Sequence, residues 1–464
     1  MTALDRELAE LLDLADGIVK EATAGGATVA ECIVRSGAEL SAKVRLGEPE
    51  LVEEAATRGA GLRVMRGKRV ASTSTSDLTP DGRRRFVQDA LELLDLSQED
   101  PFVGPADPKL LCDPSTLGDL DLYDPAGGSV NAEQAIALAR AGEAAAREFD
   151  PRISNSEGAT FGRTAGGAAM ALSSGFRSTT KGSYQSLSVV PVAEDDGGKK
   201  RRGFHWTAKR WLADMDDPKA VGMEAARRTL RKLGARPVAT CEVPVVFDPD
   251  AARSLLGMLA SCVMGSSIWR KSSYLMGKEG QQIASSLIDV VDDPLILRAP
   301  GSRPFDGEGL QSRVNVVVEK GVLRTYLCDS YSARKLGRES TASAGRGGGA
   351  GVACSTSNFI LKPGTDSPES IVKGTPRGLY VTEMMGFGFN AVTGDFSRGA
   401  SGFWIENGEL TYPVSEVTIS LNMLQLWDRI DALGTDLDLR TSTAAPTLRV
   451  GKMTVAGSTE GAAG

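Results

Sequence analysis

Several groupings of side chains in this sequence could do chemistry, and each would do a different kind. His205 is the one histidine in 464 residues, set in Gly203-Phe204-His205-Trp206-Thr207. Cys262 closes the apolar run that begins at Ser254, and an imidazole brought to a thiol would make a hydrolytic dyad. Asp306-Gly307-Glu308 and Glu406-Asn407-Gly408-Glu409 each space two carboxylates as a general acid and base would require. Gly345 to Gly351 offers bare backbone that could cradle a phosphate.

Each grouping has a plainer reading. A lone imidazole between aromatic residues in a strand reads as structural, and a thiol on an apolar helix reads as a small buried hydrophobe. Asn407-Gly408 is a hairpin signal that leaves Glu406 and Glu409 in solvent, and Asp306 with Glu308 reads as loop. No G-K-[ST] follows the glycines, so they do not form a phosphate loop. With a single histidine, imidazole-based zinc and proton-transfer chemistry has almost nothing to work with.

Composition narrows the class further. A chain with 41% hydrophobic and 24% charged residues is an ordinary globular protein. The net charge of −7 gives no basic footprint for nucleic acid. Its one dense cationic run, Lys199-Lys200-Arg201-Arg202, follows Glu194-Asp195-Asp196 and reads as a solvated loop. Met1 to Gly17 is acidic and helical rather than leader-like, and no 18-residue apolar run occurs, so a cytoplasmic protein without a membrane segment is expected. The six cysteines (Cys32, Cys112, Cys241, Cys262, Cys328 and Cys354) include no C-x-x-C pair, as expected of reduced, buried thiols.

The elements that must position these groups follow from periodicity. Leu4, Leu8, Leu11, Leu12, Ile18 and Val19 predict an amphipathic helix ending at Gly25-Gly26. Residues 29–35 and 39–46 read as a hairpin about Ser36-Gly37, and 61–74 as another turning at Arg66-Gly67-Lys68. Helices are predicted over 81–94, from Asn131 to Phe149 and over 217–233, with residues 98–126 as a connector and 154–192 as a β-meander. A strand from Cys241 to Phe247 and a helix capped by Asp248 open a new domain near residue 240. Beyond it lie strands at 314–318, 323–328, 358–362, 378–384, 402–406, 416–420 and 447–455. Ser343 to Gly351 is too poor in side chains to build core and is expected to be a mobile loop or a close-approach surface. Phe403 and Trp404 read as core, and Trp206 and Trp211 as core or subunit contact. The fold class is α+β: a mixed N-terminal subdomain (1–110), a middle subdomain (111–238) and a large, mostly antiparallel β domain (239–464).

The C-terminal half also carries ordered motifs: GLYVTEMMG at Gly378–Gly386, NAVTGDFSRGA at Asn390–Ala400, GFWIENGE at Gly402–Glu409, LGTD at Leu433–Asp436 and MTVAG at Met453–Gly457. In these the chain resembles the TldD/PmbA family. That resemblance implies a cytoplasmic zinc-dependent peptidase of two homologous subunits that degrades flexible peptides and matures certain ribosomally made ones. It also implies that one subunit type carries the metal, on an H-E-x-x-x-H helix completed by a cysteine near the C-terminus. Set against that pattern, this chain shows Gly257 and Met258 at the leading positions, Cys262 at the second histidine, and no cysteine in Asp436–Thr443. The resemblance is therefore to the PmbA/TldE type, and no catalytic residue, metal ligand or cofactor is expected in this chain. Zinc is expected in a TldD-like partner, with which this chain forms a heterodimer unless it pairs with itself. Gly386, Gly388, Asn390, Thr393, Asp395 and Arg398 are candidates for a groove that binds extended peptide through main-chain hydrogen bonds. The competing readings are a homodimeric peptide-binding protein without proteolysis and a metal-independent hydrolase using Cys262.

Overall fold

A computed structural model describes residues 3–347 and 350–457. Helix α1 (Ala3–Ala24) places Leu8, Leu11, Ala15, Ile18, Val19 and Ala22 on one buried stripe, as its periodicity requires. It lies on a seven-stranded antiparallel sheet ordered β3-β2-β1-β4-β5-β6, with β7 also paired to β5. The strands are β1 (Val29–Arg45), β2 (Glu48–Arg66), β3 (Arg69–Thr75), β4 (Asn155–Leu172), β5 (Arg177–Glu194), β6 (Lys200–Arg202) and β7 (His205–Lys209). α1 and α2 (Pro80–Leu96) cover one half of the sheet. α3 (Ala132–Glu148) and α4 (Pro218–Leu230) cover the other, where Leu40, Ala42 and Val44 of β1 join Phe161, Leu187 and Val189 in a second core.

Two sequence expectations fail here for one physical reason. Ser36-Gly37 does not turn: β1 runs straight through it, with Gly37 opposite Gly166 of β4. A Cβ on Gly166 would overlap the backbone of Ser36 and Gly37, so these glycines permit close strand approach rather than reversal. The chain reverses at Leu46-Gly47, with φ of 52° and 86°, where the buried Glu143 carboxylate accepts both N–H groups at 2.7 Å. The expected meander over 154–192 is likewise two long strands, β4 and β5, reversing at Gly175 (φ 100°). Of the expected strand at 323–328, only Leu323 lies in a strand, the two-residue Val322–Leu323.

The C-terminal region begins with β8 (Cys241–Phe247) and α5 (Pro249–Cys262) and continues through β9 (Val290–Asp292), β10 (Asn315–Glu319) and α6 (Ser330–Leu336). Then come β11 (Ala344–Arg346), β12 (Val352–Cys354), β13 (Phe359–Leu361), β14 (Arg377–Met385), β15 (Asp395–Glu406), β16 (Glu409–Asn422), β17 (Ile430–Leu433), β18 (Thr443–Ala444) and β19 (Leu448–Ala456). β16, β15, β14, β8 and β19 pair in that order, and β16 also pairs with β19, closing the sheet into a barrel. Phe247, Leu255, Leu256, Leu259, Trp404 and Trp427 fill the core between the barrel and α5. The fold is α+β, with a large β-rich C-terminal half.

The glycine-rich segment is not a free loop. Arg346 donates to the Ala350 carbonyl at 3.0 Å, and Ala344 and Ala350 are buried. Gly61 of β2 lies where a Cβ would meet Ala350 at 3.0 Å. Gly348 and Gly349 lie outside the described residues. No helix among the described residues is long and apolar enough to cross a membrane.

Candidate functional site

α5 is fixed at its start by Asp248, whose side chain accepts from the Ala251 N–H at 2.8 Å. Burial pushes the Asp248 carboxyl up to about 7, against the pull of that hydrogen bond. Ala252, Leu255, Leu256 and Leu259 face the core, leaving Arg253, Gly257, Met258 and Ser261 along the outer side at helical spacing. No atom stands within 4 Å of where a Cβ on Gly257 would lie. Cys262 is turned the other way and is wholly buried, its carbonyl accepting from Ser273 Oγ at 2.7 Å. Burial pushes its thiol up.

The segment 436–443 runs beside this helix. Arg253 Nη1 donates to Thr441 Oγ1 at 3.3 Å across 188 residues of sequence. Asp436 accepts from Thr447 N at 3.0 Å and Thr447 Oγ1 at 2.7 Å, and Arg440 Nε donates to Asp438 at 2.6 Å. Arg440 Nη1 also donates to the Trp206 carbonyl at 2.9 Å. The Trp206 ring lies 5.6 Å from the Arg253 guanidinium and 5.3 Å from that of Arg440. A cavity of about 250 Å³ lies here among Arg228, Asp248, Arg253, Asp438 and Arg440. Tyr184 of β5 donates its hydroxyl to the Arg440 carbonyl at 2.5 Å. It also lines an open trough of about 770 Å³ over the N-terminal sheet, with Ser41, Glu53, Gly162, Thr164 and Ser186.

This arrangement does not fit zinc. The metal requires about three imidazole, thiolate or carboxylate donors. Here the first position has no side chain, the second is a thioether, and the thiol faces the core. Among the described residues no three His, Cys, Asp or Glu side chains stand together in a way that could hold a metal ion. His205 and Cys262 are not brought together either. The imidazole on β7 is half-buried, its Nδ1 without a partner. Burial, helped by the Arg228 and Arg440 charges, lowers its pKa to about 4.

Of the groove candidates, Gly386, Gly388, Asn390 and Thr393 lie on the β14–β15 connection and Asp395 and Arg398 in β15. The connection meets the segment after α5, where Tyr274 N donates to the Ala391 carbonyl at 2.7 Å and Ser273 Oγ to that of Cys262. Asn390 Oδ1 accepts from Val392 N and Thr393 N at 3.0 and 3.3 Å. Asp395 accepts from Thr393 Oγ1 at 2.7 Å and Asn422 Nδ2 at 3.1 Å, and these two bonds hold its carboxyl below the usual range. A Cβ on Gly388 would overlap the Ser397 carbonyl, whereas Gly386 (φ 80°) is open. Arg398 Nε is buried without a partner. Asn390, Thr393 and Asp395 thus shape the turn itself. Phe387 between the two glycines, at 101% exposure, escaped the sequence reading.

The carboxylate pairs separate clearly. Glu406 and Glu409 are exposed either side of Asn407-Gly408, where φ is 51° and 78°. Asp306 is buried and accepts from the Glu308, Leu310 and Ala344 N–H groups at 2.8, 3.0 and 3.0 Å. Glu308 accepts from Ser330 N at 2.8 Å through Oε2, while its Oε1 has no partner. Burial, then the Asp306 charge, pushes it up to about 7. Close by, Glu31 bridges Arg63 at 3.2 Å and Arg346, whose side chains are also buried. Burial opposes the Glu31 charge, but the two guanidiniums outweigh it and hold that carboxyl below its ordinary value. Glu31 and Arg346 are 315 residues apart in sequence, and no local motif announces the pair.

Comparison with known proteins matches three parts of the chain. Residues 240–457 match the PmbA/TldA metallopeptidase C-terminal domain, 125–233 its central domain and 30–94 its domain 1. The chain is 36% identical over 448 residues to the Metalloprotease PmbA of Escherichia coli O157:H7, covering 97% of this chain and 96% of that one. A Bacteroides thetaiotaomicron crystal structure, described as a candidate modulator of DNA gyrase, superposes with a TM-score of 0.89 at 29% identity over 96% of this chain and 98% of that one. The crystal structure of TldE from Thermococcus kodakarensis shares the fold, with a TM-score of 0.86 at 21% identity over 96% of this chain and all of that one.

Proposed function

This chain belongs to the PmbA/TldA metallopeptidase family, and from that premise we propose that it is the PmbA/TldE-type subunit of a cytoplasmic metalloprotease complex that degrades or matures flexible peptides. In this reading the chain supplies walls of the peptide path and a docking surface. Zinc, base and attacking water belong to a homologous TldD-type subunit.

The observation that carries the reading is the contact of Arg253 with Thr441. It holds the outer face of α5 beside 436–443, the two places where the family's metal ligands are expected. Gly257, Met258 and an inward Cys262 stand on one side, and on the other there is no cysteine and the Asp436 and Asp438 carboxylates are engaged by Thr447 and Arg440. The adjoining trough, where Ser41, Gly162, Thr164 and Ser186 lie among Glu39, Glu53, Glu54 and Arg163, is open and long enough to take an extended peptide. A Cys262 hydrolase is not supported, since that thiol is buried and raised and has no imidazole beside it.

The test is to purify the chain alone and with a homologous subunit bearing an intact H-E-x-x-x-H. Metal is measured by mass spectrometry and hydrolysis with an unfolded peptide. The expected result is no stoichiometric zinc and no cleavage from this chain, with cleavage by the pair. Equimolar zinc and cleavage from this chain alone overturn the proposal.

A further inference from the structure

A second cavity, of about 120 Å³, opens where the end of α4 meets the barrel strands β14 and β15 and the start of α5. It adjoins the cavity beside segment 436–443, with which it shares Arg228, Asp248 and Asp250. Most of the charge on its walls is matched internally. Lys232 holds Glu383 at 2.5 Å, Arg228 holds Glu224 at 3.0 Å, and Asp250 is held by Arg253 at 3.3 Å and Arg228 at 3.6 Å.

Two groups are left over, one of each sign. Arg231, exposed at the mouth, lays its guanidinium over the Phe403 ring, 4.4 Å from the centroid, and among the described residues it pairs with no carboxylate. Asp248 is buried at the floor. One of its carboxyl oxygens caps α5 through the Ala251 N–H, and no cation among the described residues stands within ion-pair distance of it. Burial pushes this carboxyl up, and the more distant Arg228 charge does not offset it. A cation brought to the floor would supply what the fold withholds.

We propose that this cavity binds a free aliphatic amino acid as its zwitterion, with the carboxylate on Arg231, the ammonium on Asp248 and the side chain against Phe204 and Phe403. A lone anion would leave Asp248 without a cation. A lone amine would leave Arg231 unused, although its planar fork matches a carboxylate. The volume sets the size of the ligand: an apolar cavity of roughly 150 Å³ takes benzene, so one of about 120 Å³ takes a single small amino acid rather than a chain passing through. Convergent polar groups on a partly aromatic wall are the usual make-up of a small-molecule site. Amino acids are what exhaustive peptide hydrolysis yields, but the charge balance of the cavity is the same whether or not the chain serves a peptidase.

The experiment titrates the full chain with L-valine in a calorimeter at pH 8, above the range in which Asp248 takes up its proton, with L-valinamide, N-acetyl-L-valine and valyl-valine as controls. The variants are Arg231→Gln, at an exposed position, and Asp248→Asn, which keeps an acceptor for the helix cap. The expected result is one saturable site for valine in the wild type, with affinity at least tenfold weaker for every control and in both variants. Absence of valine binding overturns the proposal, and so does valine affinity unchanged in Arg231→Gln, a variant that does not touch the cap. Valinamide or N-acetylvaline binding as tightly as valine overturns it as well, because one end of the zwitterion is then not recognised. Valyl-valine binding as tightly would make the cavity a seat for a peptide end and overturns the assignment to a free amino acid.

Discussion

The outer face of α5 and the junction around Glu31 treat charge in opposite ways. At the junction, Glu31, Arg63 and Arg346 are buried together, with Asp306 and Glu308 close by, and Arg35 donates to the Arg346 carbonyl at 2.9 Å. Along α5, the positions where a hydrolase of this family would concentrate its donors are an open glycine, a half-buried thioether and a thiol turned into the core. Charged residues cluster where the N-terminal sheet meets the C-terminal region, and none of these three α5 positions carries an exposed charge. Buried charge at this junction therefore marks assembly of the fold.

The largest effect that tests this contrast is expected from Arg346→Ala. It removes one partner of a buried carboxylate and also the bond that clasps Ala350. Breaking a buried pair from one side costs about 3–5 kcal/mol, to be read from denaturant unfolding at pH 7. A loss within the range of a surface substitution would show that the junction is not a structural anchor.

A second difference is the direction of pH dependence. Glu308 is raised to about 7 in the fold, so between its ordinary value and pH 7 the folded state holds a proton that the unfolded chain has released. Its contribution to stability must then fall as pH rises through that interval and level off above it. His205, lowered to about 4, acts in the opposite sense: the unfolded chain takes up a proton below about 6.5, so its contribution falls as pH drops from there to 4. Glu308→Gln is expected to remove the loss toward neutral pH, and His205→Gln the loss toward acid, in thermal unfolding across pH 4 to 8. If the two variants shift the curve in the same sense, the environments assigned to these groups are wrong.

How much of this was legible in the sequence depends on the range of the interaction. The hairpin turn at Arg66-Gly67-Lys68, the strand Cys241–Phe247, the Asp248 cap and the Asn131 helix start are set by neighbours along the chain, and the structure has them as read. Ser36-Gly37 and the 154–192 strands were misread because a glycine needed for close approach across a sheet looks the same in sequence as one needed for a turn. The Arg253–Thr441 contact, the Trp206 ring near two guanidiniums and the Glu31 junction join segments too far apart for any local signal.

The smallest expected effect returns to Gly257. A glycine inside a helix costs about 0.5–1 kcal/mol relative to alanine, because it gives up more backbone freedom on folding. Nothing stands within 4 Å of a Cβ placed there, so Gly257→Ala is expected to raise stability by about that amount, measured by the denaturant midpoint at constant m-value. A loss would mean that the face is filled in the working protein and that the contrast with the junction has been overdrawn. A gain would mean that the fold tolerates a side chain at this position, so the bare backbone is not there to hold the helix together.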